Sequence, residues 1–148
     1  MNKKPLSGIK VLDIGQGVAA PYCGLLLAQY GAEVIKVEPI NGDWARGLGA
    51  PKGDQTAYSI YYNLGKKGIA VDLKTKEGLD IILKIASNSD VVLENFRPGV
   101  VDRLGIGFKD IKVLNSKVLY ASISGFGQTG PYADRPGSNT VVQAFSGL

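Results

Sequence analysis

The chain of 148 residues is long enough for one domain with a sizeable core, and its 45% hydrophobic and 20% charged content excludes a disordered tail or a fibrous repeat. It holds no histidine, which removes histidine-based catalysis and most zinc sites from this stretch, and no metal is expected. Its single cysteine, Cys23, excludes an internal disulfide and points to a reducing cytoplasm. The net charge of +4 is spread evenly, with nine basic and six acidic side chains in residues 1–74 and eight and seven in residues 75–148. No basic arm stands out as a grip for nucleic acid; the excess suits a small anion or serves solubility alone. No apolar run approaches the ~18 residues of a membrane span, and Met1-Asn2-Lys3-Lys4-Pro5 lacks the apolar segment of a leader. The twenty glycines are close to twice the ~7% of ordinary proteins.

In chain order, residues 10–14 form an apolar run ending at glycine, which predicts a buried strand. Gly15-Gln16-Gly17-Val18-Ala19-Ala20-Pro21 follows, then an apolar helix over 22–30 with Pro21 in its first turn and Gly31 beyond its end. Residues 32–38 predict a second strand, stopped by Pro39, so the start is a βα-β unit and the sheet is parallel. Residues 40–66 read as a long irregular segment ordered by Trp44, Tyr58, Tyr61 and Tyr62. A third strand is expected over 69–73, a helix capped by Thr75 through Ala86, and a fourth strand over 90–94. Short helices follow at 100–104 and about 108–114, then a fifth strand at 118–123 and a glycine-rich stretch at 124–137. A helix then begins at Asn139, with Val142 and Phe145 set to bury. It has no stop signal before Leu148, which reads as a truncated piece.

Four constellations carry chemistry. Gly15-x-Gly17-x-x-Ala20 after a strand, with Glu38 ending the next, approximates a dinucleotide fingerprint, although Pro21 removes a donor and a tight packing turn explains the glycines equally well. Lys66 and Lys67 before the third strand, and Asp72-Leu73-Lys74 at its end, stand where phosphate is met in α/β sheets; solvated surface is the alternative. Asn95-Phe96-Arg97-Pro98-Gly99, with Asp102-Arg103 a turn later, offers a guanidinium for phosphate and a ring for adenine, or else a plain turn with a surface ion pair. Ser124-Gly125-Phe126-Gly127-Gln128-Thr129-Gly130-Pro131-Tyr132 can bring backbone N–H groups against a thioester or carboxylate, or form an idle lid.

Taken together, Pro5-Leu6-Ser7-Gly8-Ile9-Lys10-Val11-Leu12-Asp13, Gly31-Ala32-Glu33-Val34-Ile35-Lys36-Val37-Glu38, Gly68-Ile69-Ala70-Val71-Asp72-Leu73-Lys74, Asp90-Val91-Val92-Leu93-Glu94-Asn95-Phe96-Arg97-Pro98-Gly99 and Ser122-Ile123-Ser124-Gly125-Phe126-Gly127-Gln128-Thr129-Gly130-Pro131-Tyr132 run in an order that resembles the N-terminal part of the class III CoA-transferases, the CaiB/BaiF family. That family includes formyl-CoA:oxalate and carnitine CoA-transferases. The resemblance implies an α/β fold, a Rossmann-like parallel sheet with flanking helices, of which residues 1–148 are the N-terminal portion of a CoA-binding large domain. It implies coenzyme A as acyl-CoA substrate, held by Gly17, Val18 and Ala19, by Val71, Asp72, Leu73 and Lys74, by Asn95, Phe96 and Arg97, and by Arg103. Pro39 stands where related enzymes often have arginine, and Ala19-Ala20-Pro21 where they have Ala-Gly-Pro.

The same resemblance implies transfer of CoA to a small carboxylic acid through an aspartate nucleophile lying beyond the equivalent of Leu148, so no catalytic residue is assigned here and this stretch alone is expected to be inactive. The related α-methylacyl-CoA racemases use a histidine at the position of Ser138, which favours transfer. Family members form interlocked homodimers, for which the aromatic 40–66 segment suits an interface. The rivals are a dinucleotide-dependent oxidoreductase and a CoA-binding or structural fragment without catalysis.

Overall fold

The structure, a computed structural model, describes residues 3–148; Met1 and Asn2, part of the start discussed above, lie outside them. Five parallel strands stand in the order β3-β2-β1-β4-β5: β1 Lys10–Asp13, β2 Glu33–Glu38, β3 Lys67–Ala70, β4 Val91–Glu94 and β5 Leu119–Ser122. The α/β fold is therefore as expected. The order reverses direction between β1 and β4, and the crevice at such a reversal is where open α/β sheets take ligands.

Strand alternation divides the core between the two faces of the sheet. Leu12, Val37 and Val92 face the helices α3 (Lys76–Ala86) and α5 (Phe108–Leu114), packing with Ile82, Ala86, Ile106 and Ile111. Val11, Val34 and Leu93 face α1 (Ala19–Gln29) and pack with Ala20 and Ala32. Pro21 is the third residue of α1, where its missing N–H would have had no helical partner. Gly31, at φ +104°, closes α1 with two bonds: Ala32 N–H to Leu27 and Gly31 N–H to Ala28. α3 begins at Thr75, whose hydroxyl accepts Gly78 N–H at 3.1 Å.

Three expectations are corrected. β3 lies over Lys67–Ala70, not 69–73, because Asp72 turns the chain: its carboxylate accepts Lys74 N–H and its carbonyl accepts Thr75 N–H. Residues 40–66 are not wholly irregular. Asp43 caps a 3₁₀ turn at Trp44–Gly47, and Thr56 with Ser59 forms a capping box that starts α2, Ala57–Tyr62. Phe145 of α6 (Asn139–Ser146) is 56% exposed and Val142 half-buried, because neither joins the two sides of the sheet core and Phe145 packs instead against the rings of Phe126 and Tyr132. The short helix α4 is Val100–Arg103, close to its expected span.

Candidate functional site

Side chains from four parts of the chain pin the turn after β1. β1 and β2 place Asp13 and Lys36, each flanked by apolar residues, opposite one another in register toward their carboxyl ends. Both point to the α1 face and both are buried, yet they pair elsewhere. Asp13 lies 2.8 Å from the Lys66 ammonium and accepts Gly15 N–H at 3.1 Å. Lys36 lies 3.1 Å from Asp43 and donates to the Gly15 carbonyl. Asp43 accepts Gly17 N–H, while Asn95 from the end of β4 brackets Gln16, accepting its N–H and donating to its carbonyl, both at 2.8 Å. The N–H groups of Gly15, Gln16 and Gly17 are thus all bonded within the protein. Trp44 covers Gly17, where a Cβ would fall 1.9 Å from the indole.

Of the cavities outside the carboxyl ends of the strands, the largest, of about 560 Å³, lies at the outer edge between residues 38–42, Arg46 and residues 68–70, and two others hold residues singled out by sequence. One, of about 440 Å³, is lined by Val71, Asp72, Leu73 and Lys74, by Pro39, Ile40 and Asn41, and by Gln16, Phe96, Val100 and Leu104. The other, of about 420 Å³, lies between Asn95, Phe96 and Arg97 on one side and Ser124, Gly125, Arg135 and Ser138 on the other, with Trp44 at its edge. Phe96 lines both. Of the residues singled out by sequence, these cavities unite Val71, Asp72, Leu73, Lys74, Asn95, Phe96 and Arg97. Gly17, Val18, Ala19 and Arg103 line neither: Gly17 is covered by Trp44, Val18 and Ala19 are exposed at the start of α1, and Arg103 folds back toward Gly99.

The lysine pair at the start of β3, Lys66 before it and Lys67 its first residue, meets neither alternative read from sequence in full. Lys66 is buried against Asp13, the Pro21 carbonyl and Asn63, and burial pulls its ammonium below the ordinary lysine range while Asp13 opposes that. Lys67 is an exposed partner of Glu33 at 2.6 Å. Neither is free for phosphate. Asp13, Lys36 and Asp43 escaped the sequence reading, although a charge set between apolar neighbours (Leu12 and Ile14, Ile35 and Val37) was the available signal for the first two. Gly125 and Gly137 touch backbone to backbone, since a Cβ on either would come within 2.5 Å of the other's Cα. That contact folds the 124–137 stretch so that Phe126, Tyr132 and Phe145 form a triangle of rings 5.2–6.1 Å apart, with the Arg135 guanidinium 4.6 Å from Tyr132.

Two carboxylates near the crevice differ in character. Glu38 resists burial because Arg46 (2.8 Å) and Asp43 N–H (3.0 Å) bond it, and its carboxyl is held below the usual range. Burial pushes the Glu94 carboxyl up, against bonds from Ser122 and Phe96 N–H. Burial also raises the Tyr120 phenol, with Glu94, Asp102 and Asp110 adding to the effect. Among the described residues no cluster of three or more potential ligands is placed to hold a metal, and no helix is long and apolar enough to cross a membrane.

The chain is thus of the doubly wound parallel α/β class, in which ligands bind in the crevice outside the carboxyl ends of the strands. The family model for CoA-transferase family III matches residues 6–148, and the chain belongs to that family. It is 43% identical to the succinate–glutarate CoA-transferase of Agrobacterium fabrum, across 99% of this chain and 38% of the relative. It is 42% identical to the acetyl-CoA:oxalate CoA-transferase of Acetobacter aceti, with the same two coverages. A crystal structure of a CaiB/BaiF family protein from Brucella suis superposes with a TM-score of 0.93 at 37% identity, over 99% of this chain and 40% of that one. The chain thus spans about two-fifths of the length of these relatives.

Proposed function

We propose that the protein containing this chain moves CoA from an acyl-CoA thioester to a small carboxylic acid, and that residues 1–148 supply part of its CoA-binding large domain. The observation that carries this reading is the convergence of Val71, Asp72, Leu73, Lys74 and Phe96 on one cavity outside the strand ends, within a chain of this family. Lys74 and Arg97 are exposed cations at this crevice, and neither has an ion-pair partner among the described residues. They would meet the CoA phosphates, with Phe96 against the adenine. Asn95 would act by holding the turn at Gln16. Val18 and Ala19 N–H groups at the start of α1 remain available, whereas Gly17 would contribute shape, its own N–H being bonded to Asp43. Arg103 is a further candidate for a phosphate on the outer side of α4.

In this reading an aspartate beyond the equivalent of Leu148 attacks the thioester carbonyl and expels CoA thiolate, leaving a mixed anhydride. The thiolate attacks the aspartyl carbonyl, which forms the aspartyl-CoA thioester and frees the donor acid. The acceptor carboxylate then displaces CoA in the same way and receives it back. The folded 124–137 stretch would shield these intermediates from water. The names of the relatives, which include oxalate and glutarate as substrates, support a small carboxylate acceptor. The protein is read as a cytoplasmic homodimer, with the tyrosines of residues 58–62 at the interface.

Calorimetric titration of the full-length protein with CoA tests the reading. Saturable binding is expected, weakened roughly tenfold or more in Arg97→Ala and in Arg103→Ala, about the worth of one charge-assisted contact. Absence of any CoA binding by the full-length protein would overturn it.

A further inference from the structure

In a doubly wound sheet the first βα turn is the usual seat of a ligand phosphate, because its N–H groups and the helix behind it converge on one anion. Here an anion from the chain itself sits there. The Asp43 carboxylate accepts Gly17 N–H with both oxygens, at 2.8 and 3.0 Å. It accepts Ala45 N–H at 2.9 Å and lies 3.1 Å from the Lys36 ammonium. The Lys36 and Asp43 side chains are only 2% and 1% exposed. Two backbone donors and an ammonium around one buried negative group are the contacts that a phosphate receives in such a turn.

The surroundings leave no room for a second anion. Trp44, the next residue, covers Gly17, and Asn95 takes the N–H of Gln16. Glu38 accepts the backbone N–H of Asp43 at 3.0 Å, which fixes the loop that delivers the carboxylate. Lys36 is the only cation bonded to Asp43 among the described residues, and Asp43 the only acid bonded to Lys36, so removing Asp43 strands a buried charge and two N–H donors together.

We infer that Asp43 is a specificity-determining residue, an internal anion that fills the phosphate nest at residues 15–17, denies it to the pyrophosphate of a dinucleotide and leaves ligand phosphates to the cations elsewhere at the crevice, Lys74 and Arg97 among them. A free inorganic phosphate, matched to the same donors, should therefore enter this turn only when Asp43 is cut back. This holds whether or not the protein binds CoA, because no CoA enters the test.

The test compares thermal unfolding of the full-length protein in phosphate and in chloride of equal ionic strength, with the emission of Trp44, the only tryptophan of residues 1–148, as a readout. Wild type is expected to show only the general stabilisation that phosphate gives any folded protein by exclusion from its surface, which sets the baseline. Asp43→Ser keeps a hydroxyl to cap Ala45 N–H but vacates the nest. It should be less stable in chloride and regain roughly 5 °C beyond that baseline in phosphate at about ten times its dissociation constant, with a change in Trp44 emission. Asp43→Asn fills the same volume, so it should lose stability without responding to phosphate beyond the baseline. If Asp43→Ser does not fold in chloride, the yield of refolding carries the same reading: recovery in phosphate alone supports the inference, and failure in both salts overturns it. A phosphate response of Asp43→Ser no larger than that of wild type, or of Asp43→Asn as large as that of Asp43→Ser, also overturns it.

Discussion

Gly24 shows how a single atom can reverse a general rule. Alanine in the middle of a helix ordinarily gains about 1 kcal/mol over glycine. At Gly24 of α1, a Cβ would lie 2.8 Å from Asp13 Oδ2 and 3.1 Å from Lys66 Nζ, both of them buried. Removing one partner of a buried pair costs about 3–5 kcal/mol, and forcing the pair apart costs a large part of that, so the pair wins. Gly24→Ala is expected to lower stability by about 2 kcal/mol in denaturant unfolding, and a gain in stability would refute the reading of this pair. The carboxylates have opposite signs with pH. Glu38 titrates below its ordinary value, so the stability it adds is complete above about pH 5 and is lost as pH falls through its folded value; Glu38→Gln should flatten the acid limb of the stability curve. Glu94 titrates above its ordinary value, so the native state prefers its protonated form, and its contribution is lost as pH rises through the folded value. Glu94→Gln, which keeps an acceptor for Phe96 N–H, should match wild type at pH 4 and exceed it at pH 7 in unfolding midpoint. An equal difference at both pH values would count against this account.

At the scale of elements, small capping signals order a segment that composition makes look irregular. The Thr56 hydroxyl donates to the Ala45 carbonyl at 2.8 Å and accepts Ser59 N–H at 3.3 Å, so it joins the 3₁₀ turn to α2 through a buried contact. Thr56→Val keeps the shape and removes both bonds. It is expected to cost about 1–3 kcal/mol and to raise amide exchange across residues 44–62, while α3 stays protected. Uniform loss of protection in both regions would show that the segment has no independent order. β3 teaches the converse. Its apolar residues suggested a strand starting at Ile69, but an edge strand pairs on one side only and tolerates exposed Lys67 and Gly68, so hydrophobicity marked its end poorly.

For the molecule as a whole, the strand order places the turn after β1 beside the turn after β4, and Asn95 bolts the two together through Gln16. Away from this crevice, Tyr22 of α1 meets Tyr62 edge to face at 5.9 Å, and Tyr58 and Tyr61 stand 45% and 51% exposed beside it. An apolar face of this kind needs a cover in a soluble assembly. The dimer reading makes it an interface, so Tyr58→Asp combined with Tyr61→Asp should shift sedimentation of the full-length protein from dimer to monomer; unchanged sedimentation would remove this face from the interface.

Much of this was legible in local chemistry. The parallel α/β class followed from short apolar strands alternating with helices, because strands buried on both faces need apolar side chains on both. The ends of α1 and α3 followed from Gly31 and Thr75, whose backbone roles are local. The family followed from five motifs in order, and the position of Phe96 and Arg97 at a strand end followed from the same run. What local chemistry did not decide was partnership. Lys66 read as surface or phosphate ligand and became a buried partner of Asp13, 53 residues away. Gly17 read as part of a ligand's cradle, and its N–H went to Asp43, 26 residues away. The length, composition and order of elements belong to the sequence, since propensity and periodicity act over a few residues. Which charges neutralise which, and hence which donors remain for a ligand, was decided only when the sheet brought distant strand ends within about 3 Å, the range over which a buried charge selects its partner.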